Sequence, residues 1–310
     1  MGEGLPPDIP FLPDLVVHHE DGALVTGMEG EFLWLDANMQ PTGSVTTPYP
    51  MRVRQASITN GHLYATWLDR ELLMACMACL PVGTENNGPS RAELRTSIGA
   101  PMTHHPAGNG WAHSLDAEPM ALKANADGVV FVLYRRGIYS IGLDANEHWR
   151  MASPTWTYPK KRPRNEEIIA LHLDGDAFLV VSKGGRIQVR SLDNGQLTEE
   201  YVLEGIEGPV EHHFLHGVHH LACSTDGELV WVQDGQPIRR VQLSGPVQHA
   251  TWDEALTGWR IAGWREEIVL AHDRVERRET REIPVHVHPM GNHSLLLYND
   301  GTWEQSPIGG

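Results

Sequence analysis

The feature that most constrains this chain is an internal repeat. An Asp/Asn/Gly turn, an apolar run, a second turn and another apolar run recur about every 40 residues. The first turn of each unit falls at Gly22, Gly61, Gly128, Gly175, Gly217, near Gly258 and at Gly291, and the widest gap lies between the second and third. The clearest unit, IIALHLDGDAFLVVSKGGRIQVRSLDNGQLTEEYVL, reads as four short strands separated by DGD, KGGR and LDNGQ, where glycine supplies backbone angles that other residues avoid. LKANADGVVFVLYRRGIYSIGLDANEHWRM and EHHFLHGVHHLACSTDGELVWVQDGQPIRRVQL repeat the same order. One such unit cannot bury both of its apolar faces alone, so neighbouring units must pack on each other. Seven of them predict an all-β chain forming a single seven-bladed β-propeller. The last unit, NHSLLLYNDGTWEQSPIGG, is short by one strand. The N-terminal run IPFLPDLVV is therefore expected to supply the missing outer strand and close the ring, which removes free sheet edges. The rival fold, an open stack of repeats, needs capping units, and neither terminus reads as a cap.

The units resemble the blades of WD-repeat and pyrroloquinoline-quinone-type propellers, over roughly residues 14–310, in the order of strands and turns. None carries the WD-repeat family's full Gly-His start and Trp-Asp end, or the Trp-rich docking signature of the quinone-type repeats. The resemblance implies a scaffold whose function lies in its loops and axial channel. It implies no particular activity, because unrelated chemistries share this fold.

Length and charge narrow the class of partner. A chain of 310 residues suits one large all-β domain spanning residues 1–310. With 24 basic and 40 acidic side chains the formal charge is −16, which argues against general affinity for nucleic acid or an anionic membrane. The three cysteines, Cys76, Cys79 and Cys223, are too few for a disulfide framework, and the start MGEGLPPDIP has neither a basic leader nor an apolar core. No run approaches 18 apolar residues. A cytoplasmic protein with no membrane partner is the expectation.

Two inter-blade loops stand out by length, at about 81–118 and 151–167, on either side of the third unit. Inter-blade loops share a face with the turns between each blade's second and third strands, so the two are expected side by side. The second loop holds Lys160, Lys161, Arg162 and Arg164, two of the four lysines in the chain. The second-to-third strand turns of blades three and four add Arg135, Arg136, Lys183 and Arg186. Together they predict one electropositive surface edged by Trp156, Tyr158 and Trp111, suited to a carboxylate- or phosphate-bearing partner. An acidic protein segment is the foremost candidate, with a phosphopeptide or RNA behind it. The plainer reading of KKRPR is a solvated loop balanced by Glu166 and Glu167; as a nuclear-import motif it is too short to be specific.

Signals for chemistry are sparse. There are 18 histidines, and His18, His19, His172, His212, His213, His249, His286 and His288 fall on predicted inner strands, which line the axis. Imidazole is a common ligand for zinc, copper, iron and nickel, so His18, His212, His213, His286 and His288 are the metal-ligand candidates, with Glu20 or Glu211 as added donors. Strand neighbours face opposite ways, so His212 and His213 cannot share an ion without a bulge, whereas His286 and His288 share a face. The plainer reading is hydrogen bonding between blades near the axis. Cys76 and Cys79 form a lone CxxC whose members point to opposite faces of a strand, which suits packing. There is no G-x-S-x-G, phosphate-binding Gly loop or H-E-x-x-H, and Glu166/Glu167 and Glu266/Glu267 lie on predicted turns. Trp34, Trp67, Trp231 and Trp303 fall in or beside strands, as core anchors do. The first reading is a non-enzymatic scaffold that binds a protein partner through the loop face, without catalytic residues or cofactor. The second is a metal- or cofactor-dependent enzyme with a His-rich axial site.

Overall fold

Runs such as Phe178, Leu179, Val180 and Val181 are buried on both faces, because each middle strand is covered by a neighbouring blade on either side. Outer strands such as Leu197–Val202 are largely exposed and polar. The computed structural model describes residues 4–97, 103–158, 166–290 and 293–309. They form seven antiparallel sheets in chain order, four-stranded in blades two to six and three-stranded in blades one and seven. The inner strands are Pro13–His19, Val53–Thr59, Pro119–Ala124, Ile168–Asp174, Val210–His216, His249–Asp253 and Pro284–Met290. Each contacts the inner strand of the next blade, and the last contacts the first. The chain is thus a closed seven-bladed β-propeller with a single six-residue helix, Arg91–Thr96, among the described residues.

The core is a series of inter-blade layers. Trp67 stacks on Phe32 of blade one, ring centroids 6.0 Å apart, and meets Tyr49 edge-on at 5.1 Å. Trp231 and Trp259 are fully buried between blades five and six, and Trp34 and Trp303 are buried as well. Cys76 and Cys79 share the strand Met74–Pro81 but enter different layers, as opposite strand faces require. Burial pushes the Cys76 thiol up to about 12, away from the thiolate that redox or metal chemistry needs.

Ring closure differs in detail from the expectation. Pro13–His19 is spent on the inner strand of blade one. The residues before it meet blade seven through one backbone bond, from Ile9 N–H to the Gly301 carbonyl at 2.8 Å. Ile9 is buried against Leu295, Leu297 and Trp303. Among the described residues no N-terminal strand joins that sheet; Pro6, Pro7, Pro10 and Pro13 lack the N–H groups that a ladder needs. Gly301, with φ +89°, permits the approach, since a Cβ there would lie 2.3 Å from the Ile9 carbonyl oxygen. The C-terminal end is pinned by buried Arg260, which pairs with Asp253 at 2.6 Å and donates to the carbonyls of Ile308 and Gly309 at 3.1 and 2.8 Å.

The insertion of blade two corrects the sequence reading. Residues 81–118 are not an inter-blade loop, because Trp111–Leu115 pairs with Met74–Pro81 as the blade's outer strand. The insertion, 82–110, lies between the third and fourth strands. Pro81 pairs with His62, next to the first turn, so the insertion leaves from the face of the first turns. The connection from Met151 to Ile168 joins blade three to blade four on the other face. The two long segments occupy opposite faces of the ring instead of adjoining. The outer strand WAHSL escaped notice because it is short and partly exposed, which leaves it without a strong apolar alternation.

Candidate sites at the groove and the axis

On the face of the second-to-third strand turns, blades three and four part to leave a groove of about 420 Å³, lined by Met120, Tyr134, Arg135, Pro154, Trp156 and Glu167 among others. The tight turn between Val129–Leu133 and Gly137–Ile141 presents Tyr134 and Arg135 at its mouth. The Arg135 guanidinium lies 5.0 Å from the Tyr134 ring centroid and makes no ion pair with a described residue. Trp156 is half-buried, packed against the layer that contains Ile168, Leu171 and Phe178.

The other cations are engaged. Arg136 pairs with Asp116 at 3.3 Å with both side chains exposed, a contact of little energetic weight. Lys183 pairs with Glu167 at 3.6 Å. Arg186 pairs with Glu200 at 3.1 Å in a nearly buried site and lies beneath the Tyr158 ring, 5.3 Å from its centroid. It therefore braces blade four. The Tyr158 hydroxyl donates to Glu166, and burial together with that bond pushes the phenol up. Lys160, Lys161, Arg162 and Arg164 lie outside the described residues. Trp111 is not at this groove: it begins the outer strand of blade two on the opposite face, where its indole N–H donates to Leu143 O at 2.8 Å. The structure thus brings together Arg135, Lys183 and Trp156, with Glu166 and Glu167 among them, while Arg136, Arg186 and Tyr158 are held in local contacts.

At the axis the histidines form two groups. In the first, His213 of blade five bridges His172 of blade four at 2.8 Å and His220 at 3.1 Å, so both of its ring nitrogens are partnered. His220, on the second strand of blade five, belonged to no predicted ligand set; the dense run EHHFLHGVHH was its one sequence signal. Burial, with Lys123 and then His220 adding to it, lowers His172 to about 3, and burial holds His213 well below the ordinary range. His212 faces the other way, toward Phe214 and blade six, so His212 and His213 do not converge.

The second group joins blades six, seven and one. His18 Nε2 lies 2.8 Å from His286 Nε2, and the His18 ring stacks on His288 at 4.7 Å. His249 packs on His286 with centroids 4.0 Å apart and accepts from Val287 N–H at 3.4 Å. His18 keeps a solvent-exposed edge, yet desolvation by the surrounding strands lowers it to about 4, as it does His288. His286 is buried and is lowered further. His19 instead meets Trp34 edge-on. The plainer expectation of inter-blade hydrogen bonding therefore holds for His172 with His213, and for His18 with His286.

No family model matches the chain, and no curated protein is similar in sequence. Solved structures are similar in fold. The β-propeller domain of Cps50 (Swd1) from Myceliophteria thermophila superimposes with a TM-score of 0.69 at 10% identity, over 97% of this chain and 98% of that one. BamB from Moraxella catarrhalis gives 0.62 at 11% identity, over 96% and 97%. The WD40 β-propeller domain of Doa1 gives 0.62 at 12% identity, over 98% and 96%. The chain shares its fold with WD-repeat and BamB-type propellers, and the resemblance read from the repeat is met at that level.

Proposed function

We propose that the protein is a non-enzymatic docking platform that accepts an acidic protein segment in the groove between blades three and four. The observation that carries this reading is the groove itself, a 420 Å³ concavity that combines half-buried Trp156 and Tyr134 with the guanidinium of Arg135. Aromatic and arginine side chains at a concave patch are the anchors that dominate protein interfaces. Lys183 stands beside the groove, paired with Glu167 of its lining. In the sequence, Lys160, Lys161, Arg162 and Arg164 follow Tyr158 and precede Glu166, two residues whose side chains are hydrogen-bonded to each other. Glu166 and Glu167 are each engaged locally, by Tyr158 and by Lys183, and leave Arg135 without an ion pair to a described residue.

The test is a titration of the full-length protein with acidic, neutral and basic peptides of matched length, at low and high salt, beside affinity capture from native lysate. The reading expects acidic peptides to bind and to weaken with salt. It also expects a loss of tenfold or more in Trp156→Ala, in Arg135→Glu and in the joint reversal of Lys160, Lys161, Arg162 and Arg164 to Glu. Binding that ignores both salt and these changes would reject the groove. Capture of RNA instead of protein would reject the partner class.

A further inference from the structure

The two histidine groups differ in how completely their nitrogens are used. In the trio between blades four and five, His213 bonds through both ring nitrogens, and the group is complete as a hydrogen-bond network. In the group at blades seven and one, His286 is 1% exposed and its Nδ1 has no partner among the described residues. A buried polar atom left this way is costly. Hydrogen bonding between blades uses both ring nitrogens of His213 in the first trio, whereas in the second it joins His18 to His286 through Nε2 and leaves Nδ1 of His286 unused.

Its geometry is that of ligands. His286 and His288 alternate on the strand Pro284–Met290 and so project to one side of it. His18 arrives from the adjoining inner strand of blade one. One donor nitrogen from each of the three lies within 4.8 Å of the other two, and the closest pair is already 2.8 Å apart. Nitrogens bound at about 2.0–2.1 Å to one small ion sit about 3 Å from each other. The first two imidazoles therefore have ligand spacing, and the third needs a modest inward turn. The donor set contains no carboxylate, which disfavours calcium and magnesium and suits imidazole-preferring cations.

We propose that His18, His286 and His288 form a three-nitrogen site for a zinc-class cation, Zn²⁺ or Cu²⁺, with solvent-exposed His18 marking the side from which ion and added ligand enter. The site is independent of the groove and stands or falls separately from the docking reading. The test uses untagged, chelator-treated full-length protein titrated calorimetrically with Zn²⁺, Cu²⁺, Ca²⁺ and Mg²⁺, with melting temperature followed in parallel. One equivalent of Zn²⁺ or Cu²⁺ is expected to bind and raise Tm, with no response to Ca²⁺ or Mg²⁺. His288→Asn and His18→Asn should each weaken binding by tenfold or more and abolish the Tm rise, while His172→Asn leaves both unchanged. Absence of stoichiometric binding, or binding that survives the first two changes, would overturn the proposal. Should those variants fold poorly, electron paramagnetic resonance of the Cu²⁺-loaded wild-type protein decides: coupling to imidazole nitrogens supports the site, and an all-oxygen spectrum rejects it.

Discussion

The groove between blades three and four and the histidine-lined axis pose opposite electrostatic problems within one ring. In the groove, charged side chains stand at a wet rim and are matched pairwise, Arg136 with Asp116 and Lys183 with Glu167. At the axis the ionisable groups are buried and stay uncharged, with His172 and His249 each lowered to about 3. Water screens the first set, so counting charges overstates its strength. Desolvation governs the second, so counting histidines says little about charge there. At the rim Arg135, which makes no ion pair with a described residue, is available to a partner, whereas a neutral imidazole at the axis is available to a metal.

Three perturbations would break or sharpen this contrast. The largest effect is expected from the walls between blades: Trp231→Ala should cost about 3–5 kcal/mol of unfolding free energy in urea, whereas half-exposed Trp156→Ala should cost about 1 kcal/mol. Equal losses would make Trp156 a core anchor and remove it from the binding surface. Next comes acid. His172 and His213 are held below their unfolded value of about 6.5 mainly by burial, with Lys123 and His220 adding to it at His172, and His172 and His220 at His213. The unfolded chain thus binds more protons below that pH, and stability is complete above about 6.5 and falls as pH drops toward 3. The slope is about 1.4 kcal/mol per pH unit for each imidazole kept neutral. A urea series between pH 7 and 4.5 should show it, with a shallower slope in His172→Gln; a flat profile would mean that these rings take up protons in the folded state. The smallest effect separates the arginines. Arg186→Met, which takes away the cation paired with nearly buried Glu200 and leaves it the Gln188 amide, should cost about 1–3 kcal/mol, whereas Arg135→Met and Arg136→Met should stay within about 0.5 kcal/mol. A large loss at Arg135 would mean that it is structural.

Much of the ring was legible in the residues. Turn chemistry is local, so Asn60-Gly61, Gly175-Asp176 and Gly217 marked hairpins that the structure places between first and second strands. Buried middle strands such as Ala177–Ser182 announce themselves as continuous apolar runs. The outer strand Trp111–Leu115 did not, because a strand with one exposed face and five residues carries little pattern. Missing it moved an insertion to the wrong face, since each added strand reverses the direction of the chain. Arg186 read as a surface cation for a similar reason: its partner Glu200 sits across a strand pair, and spacing along the chain does not show cross-strand contact.

The order of strands and turns, the number of blades and the opposed facing of Cys76 and Cys79 follow from the sequence by itself, because periodicity two and glycine turns act over a few residues. Only the tertiary structure decided which histidines meet. His18 and His286 are 268 positions apart, and ring closure brings the first blade against the last. It likewise decided that His213 is satisfied while His286 is not, because burial and partner geometry are properties of the packed axis and of no single strand.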